Sequence, residues 1–380
     1  MDILDLLREA VRAGASDLHL KIGHIPRLRV DGELIPLTQF HRISNSEMQH
    51  MAFSIMNSRH QQSLQELTEI ELAYSAEDLG RFRVSVFHEM GELAMAVRII
   101  PEAIRTIEQL HLPHVVHRFC NERRGLILVT GATGSGKSTT LAAMIDEINS
   151  SSPLHIITIE DPIEFYHTDK KAFISQREIG VDTPSFESAL RSALRQDPDI
   201  ILVGEMRDRQ TIRTAIAAAE TGHLVFSTLH TLDAQETVQR IVSLFSAADQ
   251  KQIRLHLAST LKGIISQRLV RRADGQGRVP VAEVLVATEF IRDCVIYPQK
   301  TRLIRESMAT GTSQYGMQTF DQSLYHLYSQ GLITLDEACL WASSPEDLRL
   351  RASGIRSAYE LGLDSMEDAL RSRIERFAKG

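Results

Sequence analysis

Cysteine is scarce: Cys120, Cys294 and Cys339 are the three in 380 residues. They lie far apart and form no CxxC pair, which excludes a disulfide framework and a zinc ribbon within one chain. Each is expected as a small buried hydrophobe. No apolar run approaches the ~18 residues that a membrane span needs. Asp2, Asp5 and Glu9 interrupt the leucines of the N-terminus, a composition wrong for a signal peptide. The expectation is a cytosolic-type protein that reaches a membrane only through partners, without direct insertion. Basic blocks are missing too. Lys and Arg number 42 against 49 Asp and Glu, a net charge of −7, which disfavours nucleic acid as the main ligand. What remains is ordinary for a folded chain: 43% hydrophobic and 24% charged residues. At ~150 residues per domain, the length suggests two domains or three.

The first hundred residues read as a small α+β domain. Ile3, Leu6, Leu7, Ala10 and Val11 recur at helical spacing, and Gly14 ends that helix. Leu18, Leu20 and Ile22 alternate with polar residues as in a half-buried strand. Asp31-Gly32 between two short alternating runs signals a hairpin. Further strands fit 80–87 and 93–100, and 101–113 reads as a connection. From Gly125 the apolar runs 126–129, 156–159, 200–203 and 224–226 alternate with amphipathic stretches at 138–148, 186–194, 212–219 and 234–245. Runs apolar on both faces, separated by helices, predict a parallel sheet covered on both sides. The expected organisation is therefore 1–100, a 101–113 linker, a 114–290 core and a mainly helical 291–380.

The strongest chemical signal is Gly131-Ala132-Thr133-Gly134-Ser135-Gly136-Lys137-Ser138. A strand precedes this GxxxxGKS stretch and a helix follows it, the context a phosphate-binding loop requires. Its backbone N–H groups and the helix N-terminus can wrap phosphate oxygens. Lys137 is expected at the β- and γ-phosphates and the Ser138 hydroxyl on Mg²⁺; Thr139 completes the candidate nucleotide-binding set. Glu205 follows the apolar strand 200–203, at an edge where ligands gather in open α/β sheets. It is the candidate magnesium or water-positioning carboxylate, the plainer reading being a solvated charge. Glu160, Asp161 and Glu164 cluster after strand 156–159. They suit a reacting water or a cation, or simply an acidic turn. His223 and His230 bracket the strand at 224–229, and both are candidate phosphate sensors.

Together these segments resemble the type IV pilus retraction ATPases, the PilT/PilU-like branch of the secretion-ATPase superfamily. Four boxes stand in that family's order: the P-loop, Thr158–Phe165, DPDIILVGEMRD at Asp197–Asp208 and ETGHLVFSTLHT at Glu220–Thr231. SDLHL at Ser16–Leu20, GRFRVSVF at Gly80–Phe87 and GMQTFDQSL at Gly316–Leu324 are similar to it as well. The resemblance implies a PAS-like N-terminal domain followed by a RecA-like P-loop ATPase domain with a helical C-terminal part. It makes Glu164 the general base, Glu205 the Walker B carboxylate, and His223 and His230 residues near the phosphates. It makes Arg81, Arg83 and Arg98 arginines that reach the nucleotide. The implied cofactors are ATP and Mg²⁺. The implied assembly is a homohexamer on the cytoplasmic face of the inner membrane at the pilus base, with an inner-membrane platform protein and a paralogous motor ATPase as partners.

Two features depart from the pattern. Where retraction motors carry an AIRNLIR-like helix, this chain reads Phe290-Ile291-Arg292-Asp293-Cys294-Val295-Ile296, which favours an accessory motor. The tail from Arg351 runs past the usual family end, with Met366, Leu370, Ile374 and Phe377 spaced as one helical stripe. Against an assembly or secretion motor stand the missing tetracysteine insertion and a chain that starts at the PAS-like module. Against a regulatory subunit that only binds ATP stand Lys137, Glu164 and Glu205. A DNA-translocating motor is disfavoured by the net acidity.

Overall fold

The periodic leucines at the start of the chain form α1 (Ile3–Arg12), capped by Asp2, whose side chain accepts the N–H of Leu4. Ile3, Leu6, Leu7 and Ala10 are buried, and Gly14 leaves the helix at φ +63°. A computed structural model describes residues 1–30, 32–100 and 103–354. These residues divide into two units: Met1–Ile104 with Glu164–Tyr166, and Arg105–Ile163 with the chain from His167 onward.

The first unit is built on β1 (Asp17–Lys21), β2 (Arg27–Val30), β3 (Glu33–Pro36), β4 (Glu69–Ala76), β5 (Gly80–Glu89) and β6 (Glu92–Ile100). Their order is β3-β2-β1-β6-β5-β4, antiparallel throughout. The β2–β3 hairpin forms as the sequence predicts, with Val30 opposite Glu33; Asp31 lies outside the described residues. Alternation sends Leu18, Leu20, Phe82, Val84, Met95 and Val97 into one core with α1 and with α2 (Asn45–Ser54). β4, α2 and α3 (Ser58–Leu67) are absent from the sequence reading; α2 lacks a clear apolar stripe, whereas β4 does alternate, with Ile70 and Leu72 buried between Glu69, Glu71 and Ala73. Arg81 and Arg83 fall on the sheet's other face, and Arg98 joins them because it stands opposite Arg83.

The second unit carries β7 (Gly125–Thr130), β8 (His155–Glu160), β9 (Phe173–Glu178), β10 (Ile200–Val203), β11 (Leu224–Leu229), β12 (Leu261–Arg271) and β13 (Arg278–Val286). The order is β13-β12-β7-β11-β10-β8-β9. Six strands are parallel, and β13 turns back antiparallel along β12. The expected all-parallel sheet is thus a mixed one, because 261–286 forms a hairpin. Both faces are covered. Ile127 and Val129 pack toward α4 (Val115–Cys120) and α5 (Lys137–Ser151). Leu126 and Leu128 pack toward α6 (Phe186–Ala193), α7 (Arg209–Glu220), α8 (Ala234–Ser243) and α9 (Ala247–Thr260).

Ile107, Leu110 and Leu112 are buried in the same core as Val116, Phe119 and Ile145. Residues 105–113 therefore belong to the second unit rather than to a free connection. After α10 (Glu289–Ile296) the described chain is helical, and Phe320, Leu324 and Leu327 pack on Val270, Val279 and Val281 of the β12–β13 hairpin. The stripe at Met366, Leu370, Ile374 and Phe377 lies outside the described residues. The three cysteines are buried and free; burial raises the Cys120 thiol well above its usual range. Among the described residues no helix is long and apolar enough to cross a membrane.

Candidate nucleotide site

β7 runs straight into the P-loop. Gly131 adopts φ +145°, Gly134 +78° and Gly136 +91°, backbone that side chains with a Cβ rarely take. At Gly131 the space is also closed: a Cβ there would sit 2.4 Å from Ser135 Oγ and 2.5 Å from the Gln267 carbonyl oxygen. At Gly134 nothing lies within 4 Å of the same position. Lys137 opens α5, only 9% exposed, and its Nζ donates to the Gly131 and Ala132 carbonyls at 3.0 Å each. A buried ammonium folded back over a loop sets a positive charge where phosphate would rest. The N-terminus of α5 has no side-chain cap, so its first N–H groups point at the same space. Ser135 Oγ is buried and has no hydrogen-bond partner. An orphaned hydroxyl, an uncapped helix start and a cradle a Cβ would fill all fit a polyphosphate.

Sheet register brings the other candidates to this edge. Thr130 stands opposite Leu229, and Val203 opposite both Ser227 and Ile159. The P-loop, His230, Glu205 and Glu160 therefore follow the same ends of four adjacent parallel strands, β7, β11, β10 and β8. Glu205 is largely covered, its side chain 18% exposed. Its Oε2 forms an ion pair with Arg207, 2.8 Å from Nε, and His230 Nε2 lies 3.1 Å from its Oε1. The turn is held from below: Ser227 Oγ and Thr228 Oγ1 donate to the carbonyls of Val203 and Gly204 at 2.7 and 2.6 Å. Asp208 caps α7, accepting the N–H groups of Gln210 and Thr211 at 2.8 Å each. In the GEMRD stretch the acid at 208 thus serves the helix, while the acid at 205 faces its histidine.

The acidic cluster after β8 disperses. Glu160 accepts from Thr158 Oγ1 at 2.6 Å and Gln176 Nε2 at 3.3 Å, whereas Asp161 and Glu164 are exposed. Protein donors and water meet the charge there. Glu164 groups with the first unit.

His223 requires a correction. It precedes β11, whose first residue, Leu224, pairs with Gly125 at the start of β7. The P-loop leaves the other end of β7, so His223 stands at the opposite edge of the sheet. Its Nδ1 lies 2.9 Å from the Ala218 carbonyl oxygen, where it closes the end of α7. Nucleotide contact by His223 within its own chain is excluded by the length of the strand.

The arginines of the first unit are engaged locally. Arg83 donates to Glu71 at 2.6 Å and Arg98 to Asp17 at 3.0 Å, and the Nε of Arg81 is buried without a partner. Two residues of the second unit's site escaped the sequence reading. Arg207 is visible only as one basic residue beside Glu205. Glu283 could have been found as a lone acid in the apolar run 279–286.

Comparisons of sequence and fold show what the chain is similar to. The chain is 44% identical over 347 residues to the type IV pilus retractation ATPase PilT of Pseudomonas aeruginosa, covering 91% of this chain and all of that one. It is 42% identical over 372 residues to the type IV pilus ATPase PilU of the same organism, covering 98% and 95%. The crystal structure of the pilus retraction motor PilT with bound ADP superposes at a TM-score of 0.84 with 45% identity, over 92% of this chain and 99% of that chain. The ATPase DotB of Legionella pneumophila follows at 0.75 with 31% identity, over 89% and 94%. The family described as Type II/IV secretion system protein matches residues 2–339, from α1 to the helices beyond the β12–β13 hairpin. With that match over most of its length, this chain belongs to the Type II/IV secretion system protein family.

Proposed function

We propose that this chain is an ATP-hydrolysing motor that withdraws pilin from a type IV pilus. The observation that carries the reading is one sheet edge holding both a phosphate cradle at 131–137 and the Glu205–His230 pair. The names of the relatives supply the fibre. In this reading the P-loop N–H groups and Lys137 bind the phosphates, and the Ser135 hydroxyl gains its missing partner. Ser138 and Glu205 hold Mg²⁺, which when bound offsets phosphate charge. Glu164 takes the proton of the attacking water on its carboxylate. His230 orients Glu205 and senses the γ-phosphate. Arg81, Arg83 and Arg98 serve the charge on the γ-phosphoryl group, Arg83 and Arg98 exchanging Glu71 and Asp17 for it.

The first unit is assigned to the PAS-like class and the second to the RecA-like class. The working form is a homohexamer on the cytoplasmic face of the inner membrane at the pilus base, acting on a platform protein. Two observations favour a variant of this reading, an accessory motor paired with a paralogue. The likeness to PilU spans 98% of the chain, and α10 carries Asp293-Cys294 where retraction motors keep Asn-Leu.

Steady-state turnover tests the site. Glu205→Gln should bind ATP normally and lose about 10²–10³-fold in kcat, as when a charge-stabilising catalytic group is removed. Lys137→Ala should weaken both binding and turnover. Full turnover by the Gln variant would sink the assignment.

A further inference from the structure

Glu283 sits on β13 at 4% exposure, in a strand that is otherwise apolar after Arg278. Its Oε1 accepts the N–H of Ala234 at 2.9 Å. Ala234 is the first residue of α8, so this donor is one that the helix cannot satisfy internally. The loop just before it carries His230. That loop is tied to α8 by its own contacts: Thr231 Oγ1 to Thr237 Oγ1 at 2.6 Å, Leu232 N–H to Glu236 Oε2 at 2.8 Å, and Glu236 N–H to Asp233 Oδ1 at 2.7 Å. Loop and helix start therefore move as one piece, and Glu283 fastens that piece to the sheet from outside.

The register makes the fastening specific. Glu283 stands opposite Ser266, Ser266 opposite Thr130, and Thr130 opposite Leu229. One rung across four strands thus links the carboxylate to the residues immediately before Gly131 and His230. Inside it, Thr130 Oγ1 and Ser266 Oγ form a buried hydrogen bond at 2.9 Å. A carboxylate is a costly side chain to bury for packing alone; here it meets a backbone donor at a helix start.

We propose that Glu283 is a positioning residue for ATP hydrolysis, fixing through the Ala234 N–H the loop that sets His230 against Glu205. The inference rests on the assignment of His230 and Glu205 to the hydrolytic site. Displacing a catalytic group by about an ångström is enough to cost up to ~10²-fold in rate, so the loop needs such an anchor.

The test is a double-mutant cycle in the full chain, reading kcat, KM and the Kd of ADP. Glu283→Leu should lower kcat about 10-fold, with KM and ADP affinity within about twofold of the parent. Glu283→Gln, whose amide oxygen can accept the same N–H, should recover most of that loss. His230→Ala combined with Glu283→Leu should be no slower than the slower single variant. If the Leu variant fails to fold, Glu283→Asp, which withdraws the carboxylate by one methylene, takes its place in the cycle with the same expectation. Losses that multiply in the double variant, or a Gln variant as slow as the Leu or Asp one, overturn the inference alone. His230→Ala at full kcat overturns the site assignment and the inference with it.

Discussion

Glu205 and Glu283 are carboxylates of one sheet whose surroundings give them different behaviour. Glu205 keeps a cation and an imidazole as partners at an open edge. Glu283 is enclosed, and burial pushes its carboxyl up to about 7, against the pull of the Ala234 N–H, Arg305 and Arg268 and with the repulsion of Asp233. A pKa raised on folding means that the unfolded chain gives up its proton first as pH rises. Stability from this group is therefore complete below about pH 4.5 and is lost progressively toward pH 7. The loss amounts to about 3 kcal/mol over the window at 1.36 kcal/mol per unit. Glu283→Gln does not titrate there. Denaturant melts should show the Gln variant gaining on the parent between pH 5 and 7.5, and a constant difference would refute the assignment of the shift to Glu283. The two histidines show what was legible at this scale. Both flank one strand in the sequence, yet six residues at ~3.3 Å rise separate its ends by about 20 Å. Only His230 can share the P-loop edge.

Among elements, the P-loop was readable because its chemistry is contiguous: glycines, Lys137 and Ser138 stand within eight residues. Two of its three glycines, Gly131 and Gly134, are not equivalent. Gly131→Ala brings a Cβ against a backbone oxygen at 2.5 Å as well as an unfavourable φ, while Gly134→Ala meets only the φ penalty in open space. Gly131→Ala should lose nucleotide binding and destabilise by more than the ~1–3 kcal/mol of backbone strain alone. Gly134→Ala should stay within that range. Equal effects of the two in nucleotide titration and melting would contradict the crowding at Gly131. The β12–β13 hairpin was hidden for a different reason. α9 ends at Thr260 and β12 starts at Leu261, with no turn residue between them to mark the change of period. Gly263 reads as a helix flaw, but it is where the Phe119 ring packs against β12: an added Cβ would lie 2.2 Å from that ring. β9 was missed because its half-exposed residues Phe173–Glu178 mix polar with apolar.

At the scale of the whole molecule, composition gave a folded, acidic chain without a spanning helix, and the strand–helix alternation after Gly125 gave the α/β unit. The place where one core ends and the other begins was not legible. Ile107 and Leu110 follow Ile104 at a spacing of three that says nothing of which core they join, and they are buried with α4, α5 and the sheet of the second unit. The central claim is that ATP turnover by this chain withdraws a pilus fibre. Its most direct test is to image labelled pili on live cells that lack this chain, and after complementation with the parent or with Glu205→Gln. The account predicts normal or raised numbers of surface pili that do not shorten, with shortening restored by the parent and not by the Gln variant. Bald cells that regain pili on complementation with the parent, or shortening restored by Glu205→Gln, would contradict it.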